Sequence, residues 1–443
     1  MPELTDIAAR LVDLARAEGA EEVAAMAVDG ESIEASARDG AIEEVGRAEG
    51  MDVGLRVIVG RRQACVSASS AKSDVLAELA ARVVAMAKES PEDPYAGLPE
   101  HDPANLPDLD LFDPTETDAD TLREKVLAMD AVGREVAGVT KSEGAGMAWS
   151  RRRAALVQSN GFAAERQGSF WSASATMIAG EGLGMERDYA WTSARHREDL
   201  RDLDGVAREA AERAVARLAP RKPPTGAVPV LYEARLAGSI LTHLLGAVNG
   251  AAVARGSSFL ADRLGERVLP EGVDVIDDPL RPRGPGSRPF DGEGLPSRRT
   301  MVVEGGVLKT WLLDCGTARQ LDMETTRSAA AGPGSPPRPS ASNVTLSTGS
   351  RSRAEMVAGL GRGLLVTEML GASINPNTGD YSRGASGFWI EDGAIAYPVS
   401  EATVAGNLKD MLRALEPASD DRPTDRAIAS PSLLIEGLHV SGD

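Results

Sequence analysis

The stretch from Val366 to Leu412 constrains the fold more than any other part of the chain. Within it, FWIEDGAIAYPV sets a strand-forming run on each side of Asp392-Gly393, a dipeptide that favours the positive φ angles of a tight two-residue turn. Phe388, Trp389 and Ile390 are therefore expected to pair with Ala394, Ile395, Ala396 and Tyr397 as a hairpin. Ahead of it, Asn375-Pro376-Asn377-Thr378-Gly379 and Ser382 to Gly387 read as about thirteen residues of loop, longer than a hairpin needs. Loops of this kind on a rigid scaffold usually bind something.

The 443 residues exceed one ordinary domain, and length alone predicts roughly two to three. Pro220-Arg221-Lys222-Pro223-Pro224-Thr225-Gly226 is the linker candidate, because proline stiffens it and the periodicities on both sides stop there. Before it, residues 3–18 place Leu4, Ile7, Leu11 and Leu14 at helical spacing, and turns at Asp29-Gly30, Asp39-Gly40 and Gly60 predict an antiparallel meander. Helices are expected from Ser73 or Asp74, over Thr121–Val136 and over Leu203–Leu218, with strands around Met147–Val157 and Ala163–Ile178 and a loop from Pro91 to Pro114. Beyond the linker come a strand, VPVLYEA, an apolar run Leu236–Ala254 that reads as one long buried helix, a hairpin turning at Gly305-Gly306, a low-complexity mobile loop Gly332–Ser342, and a last strand, PSLLIEGLHV. The expectation is α+β in two domains: residues 1–219 an N-terminal α/β domain of antiparallel strands with flanking helices, 220–226 the linker, and 227–443 a β-rich domain with the long buried helix.

Lys plus Arg is 48 against 67 Asp plus Glu, a net charge of −19 that repels nucleic acid and anionic lipid. Arg151-Arg152-Arg153 is the strongest basic cluster, and it reads as a solvated feature of a strand edge rather than a phosphate site. Two isolated cysteines, Cys65 and Cys315, exclude a disulfide framework and fit a reducing compartment. The charged N-terminus is not a signal peptide, and the apolar run is broken by Ser239, Thr242, His243 and Asn249, so a cytoplasmic chain outside the membrane is expected.

Catalytic patterns are sparse. The four histidines, His101, His196, His243 and His439, lie far apart, and none has metalloprotease spacing. Ser386, in Gly384-Ala385-Ser386-Gly387, precedes a strand rather than the helix a nucleophile elbow requires. Gly359-Leu360-Gly361-Arg362-Gly363 follows a helix, the reverse of the dinucleotide order. Asp291 and Glu293 could hold a cation, although two acids in a glycine-rich turn more often make a solvated loop.

Five segments together resemble the TldD/PmbA family: RDGAIEEV near Arg38, GLRVIVGRR near Arg56, DPYAGLPE near Tyr95, DGEGLPSRRTMVVEGGVL from Asp291, and INPNTGDYSRGASGFWIEDGAIAYPVSEATVAGNL from Ile374. The resemblance implies a two-domain protein and, in the TldD branch, a zinc peptidase with HExxxH on the long helix and a cysteine near the C-terminus. Laid on this helix, the motif puts Thr242 and Ala247 at its histidine positions and His243 at its glutamate position, and 420–443 contains no cysteine. This chain therefore resembles the PmbA (TldE) branch. That implies no cofactor on this chain, zinc on a TldD-type metalloprotease partner, a peptide substrate, and a possible homodimer in isolation. The loop residues Asn375, Thr378, Ser382, Arg383 and Ser386 become the candidate contacts for partner or peptide. The family's older name implies an alternative, a binding protein that modulates DNA gyrase.

Overall fold

The computed structural model describes residues 3–103 and 105–442. The N-terminal half runs α1 (Leu4–Ala17), β1 (Glu22–Arg38), β2 (Ala41–Val59), β3 (Arg62–Ala68), α2 (Ser73–Glu89), α3 (Ala119–Arg134), β4 (Val139–Gln158), β5 (Ala163–Ala179), β6 (Glu186–Ala194) and α4 (Leu203–Ala216). The C-terminal half begins with β7 (Gly226–Tyr232), α5 (Ala234–Ala247), α6 (Gly250–Ala254), β8 (Val275–Asp277), β9 (Thr300–Glu304), β10 (Val307–Leu308) and α7 (Cys315–Gln320). It continues with β11 (Ala329–Gly332), β12 (Ser335–Pro339), β13 (Val344–Leu346), α8 (Arg353–Ala358), β14 (Arg362–Ile374), β15 (Asp380–Glu391) and β16 (Ala394–Asn407). It closes with α9 (Leu408–Ala414), β17 (Leu415–Pro417), β18 (Ile428–Ala429) and β19 (Leu433–Ser441).

The first half is one antiparallel sheet in the order β3-β2-β1-β4-β5-β6. Alternation along β1 sends Val23, Ala25 and Ala27 into one core with α1 and α2, and Ile33, Ala35 and Ala37 into a second core with α3 and α4. Both cores are on the same face. The opposite face of the sheet carries Met26, Val28, Ala154 and Leu156, which pack with Phe162 and with Phe290 from the C-terminal half. The second half holds a sheet ordered β16-β15-β14-β7-β19-β17 that curls until β16 also meets β19, and a five-stranded sheet β10-β9-β8-β13-β18. The fold is thus mixed α and β in two domains. Among the described residues no helix is long and apolar enough to cross a membrane.

Several local expectations change in the structure. Asp29-Gly30 is no turn: β1 runs straight through it, because β2 and β4 supply ladder partners on both sides. Asp39-Gly40 does turn, with φ of 49° and 85°. The apolar run Leu236–Ala254 is two helices, since Asn249 ends α5 and caps α6 by accepting from the Ala251 N–H at 3.0 Å. The mobile loop expected over Gly332–Ser342 begins as the β11–β12 hairpin, laid so closely on β2 that a Cβ on Gly54 would stand 1.8 Å from the Pro333 carbonyl oxygen. Of the loop expected over Asn375–Gly387, only the turn before Asp380 is loop, and the rest is strand β15 paired on both sides.

Candidate functional site

Helix α5 lies over the curled sheet with Ile240, Leu241, Leu244 and Leu245 in the core, and its His243 side packs against the start of β15. Ser239 and His243, one helical turn apart, share that side. The His243 ring stands edge-on to Tyr381, with centroids 6.0 Å apart. Its buried Nε2 has no hydrogen-bond partner, nor does the Ser239 hydroxyl, while the Tyr232 hydroxyl faces that of Tyr381. Tyr381 turns its own hydroxyl to the Met369 sulfur at 3.5 Å. Burial, and then the Arg383 charge, hold His243 below its usual value, so the imidazole is neutral at pH 7. Burial raises the Tyr232 phenol well above its usual value. Each buried polar atom without a partner costs about 1–3 kcal/mol.

The donor set does not fit zinc. Thr242 is exposed and donates to the Gly238 carbonyl at 2.9 Å, and Ala247 is a buried methyl whose carbonyl accepts from Ser258 at 2.6 Å. One imidazole and no thiolate remain, against the three or four ligands such an ion takes. Among the described residues no group of three His, Cys, Asp or Glu side chains is placed to hold a metal ion.

The proposed contact residues separate. Arg383 lies near enough for its charge to act on His243, and its Nε donates to the Gly371 carbonyl at 2.8 Å. Asn375 accepts from the Asn377 and Thr378 N–H groups, and Thr378 donates to Asp380 at 2.6 Å, so both side chains hold the turn together. Ser382 is half-buried within β15, opposite Ser373, and Ser386 is buried opposite Glu368.

Sequence reasoning missed two buried centres. Asp291 and Glu293 are not a solvated loop, being 1% and 3% exposed. Asp291 accepts from the backbone of Glu293, Leu295 and Ala329, while Glu293 accepts from the Cys315 N–H at 2.7 Å. Burial, then the Asp291 charge, pushes Glu293 up to about 7. Burial, then Glu293, pushes the Cys315 thiol upward, which makes it a poor nucleophile. The second centre joins the halves. Arg235, in the first turn of α5, binds Asp188 of β6 through both guanidinium ends at 2.6 and 3.0 Å, and Arg217 reaches Asp188 at 3.5 Å and Glu368 at 2.5 Å. The only signal in the sequence was charge beside apolar runs, which most often means solvent.

A two-domain fold of this topology, with a helix laid over a curled sheet, defines a class found among known proteins. The description PmbA/TldA metallopeptidase matches in three consecutive parts: domain 1 over residues 23–87, the central domain over 112–218 and the C-terminal domain over 225–442. The chain belongs to the PmbA/TldD metallopeptidase family. It is 33% identical to the metalloprotease PmbA of Escherichia coli O157:H7 over 93% of this chain and 90% of that one. It is 32% identical to a metalloprotease PmbA homolog of Haemophilus influenzae over 100% and 96%. A solved structure from Bacteroides thetaiotaomicron, described as a candidate modulator of DNA gyrase, superposes with a TM-score of 0.91 at 25% identity over the whole of both chains. TldE from Thermococcus kodakarensis shares the fold with a TM-score of 0.87 at 21% identity, over 98% of this chain and 100% of that one.

Proposed function

We propose that this chain is the non-catalytic subunit of a cytoplasmic TldD/TldE-type zinc metallopeptidase that acts on unfolded or modified peptides. The observation that carries the reading is the helix α5: at the positions of the family's metal motif stand an exposed hydroxyl, one half-buried imidazole and a buried methyl. Membership of a metallopeptidase family supports a role in proteolysis, and the donors missing from α5 support a metal carried by a partner. Arg383, half-exposed on the strand beside His243, is then the residue offered for contact with a peptide that this chain holds rather than cuts.

The test is reconstitution. The isolated chain, as monomer or homodimer, is expected to carry less than about 0.1 zinc per chain by elemental analysis and to cleave no peptide. Mixed with a TldD-type subunit that holds HExxxH, it co-elutes on size exclusion and supports cleavage. One zinc per isolated chain, with peptidase activity lost on His243→Ala, overturns the proposal. The description of the Bacteroides structure favours a second reading, a binding protein that acts on DNA gyrase. The charge of −19 opposes direct contact with DNA, so a supercoiling assay with purified gyrase separates the two readings.

A further inference from the structure

In this acidic chain four arginines converge on one cavity. The cavity, of about 340 Å³, lies where Pro285–Arg288 covers the helix-free face of the N-terminal sheet, and Arg152, Arg166, Arg195 and Arg288 line it. Strand alternation explains how they come to be there. In the run Arg151-Arg152-Arg153, the outer two point to the helix face and pair across to β1, Arg151 with Glu31 at 2.7 Å and Arg153 with Asp29 at 3.8 Å. Arg152 points the other way, and Arg166, opposite Ala154 in the β4–β5 register, shares its face.

Among the described residues no carboxylate oxygen lies within 4.0 Å of any of the four guanidinium groups. Arg195 is fixed by carbonyls, donating to Ser169 at 3.2 Å, Gly284 at 3.4 Å and Pro285 at 2.6 Å. Arg288 donates to the Ser340 carbonyl at 3.1 Å, and its buried Nε has no partner. Arg166 lies over the Phe290 ring at 5.5 Å. The nearby acids are engaged elsewhere: Asp291 accepts three backbone N–H groups, and Asp277 holds the Ser342 N–H at 2.9 Å. Burial, and then the charges of Arg288, Arg152 and Arg195, push Arg166 down to about 10.

Four like charges gathered in a partly desolvated cavity, with Asp291 and Asp277 nearby but none of the four in a salt bridge among the described residues, oppose folding, and the guanidinium fork matches the oxygens of phosphate and carboxylate groups. We propose that this cavity binds a multivalent oxyanion, phosphoryl or polycarboxylate, held by Arg152, Arg166 and Arg288, with Arg195 as a fixed wall. A ligand with a single charge leaves most of the cluster uncompensated, so two or more charges are required. Both halves of the chain contribute, so binding also stiffens their junction. The proposal does not rest on the peptidase reading.

Titration calorimetry on the full chain, without any partner, uses inorganic pyrophosphate and, separately, citrate, at ionic strength held constant with potassium chloride. Saturable binding at one site per chain and a raised thermal midpoint are expected. Tighter pyrophosphate binding identifies a phosphoryl ligand, and tighter citrate binding a polycarboxylate. Arg152→Gln, exposed and without a side-chain hydrogen bond among the described residues, should fold normally and weaken binding roughly tenfold, as should Arg166→Gln. Arg267→Gln, which removes a distant exposed pair with Glu271, should leave binding unchanged. Absence of saturable binding by either anion up to about 10 mM, or equal binding by wild type and Arg152→Gln, overturns the proposal.

Discussion

The two ends of α5 treat buried polarity in opposite ways. At its N-terminus Arg235 is 6% exposed at the side chain and fully engaged, bidentate to Asp188, bonded to Glu233 and stacked over the Tyr189 ring. One and two turns on, the Ser239 hydroxyl and the His243 Nε2 are buried without partners near the Tyr232 and Tyr381 hydroxyls. A satisfied network fixes one geometry and serves as a joint between the halves. An unsatisfied cluster leaves hydrogen-bonding capacity unused and costs stability.

The largest expected effect breaks the satisfied end. Asp188→Ala strands Arg235 and Arg217 in a buried site, and urea denaturation of the full chain should show a loss of about 3–5 kcal/mol. A loss below about 1 kcal/mol would show that the network is not a structural joint.

Glu293 sharpens the comparison as a buried carboxylate with no cation of its own. Its folded value, about 7, lies above the ordinary 4.5, so the folded state binds the extra proton and stability falls as pH rises from about 4.5 to 7, by at most about 3 kcal/mol. Glu293→Gln should remove that slope and leave the variant more stable than wild type at pH 8. Asp188 has the opposite sign. Burial raises its carboxyl, but Arg235 outweighs that and holds it below the usual range, so its stabilisation is present above about pH 4 and lost as pH falls further. Chemical denaturation at a series of pH values reads both.

Smaller effects belong to the unsatisfied end. Tyr232→Phe deletes a buried hydroxyl whose neighbour is the Tyr381 hydroxyl and should change stability by less than about 1 kcal/mol. A loss of about 2 kcal/mol would reveal a hydrogen bond that closes the cluster. Thr242→Ala, at an exposed position, should change thermal stability by less than about 0.5 kcal/mol.

Much of the fold was legible residue by residue. The Asp392-Gly393 hairpin forms as expected, Glu391 opposite Ala394 and Ile390 opposite Ile395, because a turn with positive φ at both positions leaves the adjoining pairs little choice, and a bulge beyond Ile390 then sets Trp389 opposite Tyr397. Gly305-Gly306 turns for the same reason. The Asp29-Gly30 pair carries the same local signal and yields a continuous strand, because neighbours on both sides satisfy its backbone. The candidate site was half legible: His243 stood out as a lone imidazole in an apolar run, while Tyr232, Tyr381 and the loss of Asn375 and Thr378 to their own turn left no trace in local pattern.

What the amino-acid sequence determined by itself is local: the turns, the apolar faces of the helices, and which donor atoms exist on α5, since covalent identity and short-range backbone sterics are complete within a few residues. Tertiary structure alone decided which charges lost their water. Arg235 and Asp188 meet across 47 residues, Asp291 and Glu293 are sealed in, and Arg152 is turned from its two paired neighbours toward a cavity shared by both halves. Burial and partnership come from elements far apart in the chain, and those two quantities set whether an ionisable group is solvated, structural or free to bind.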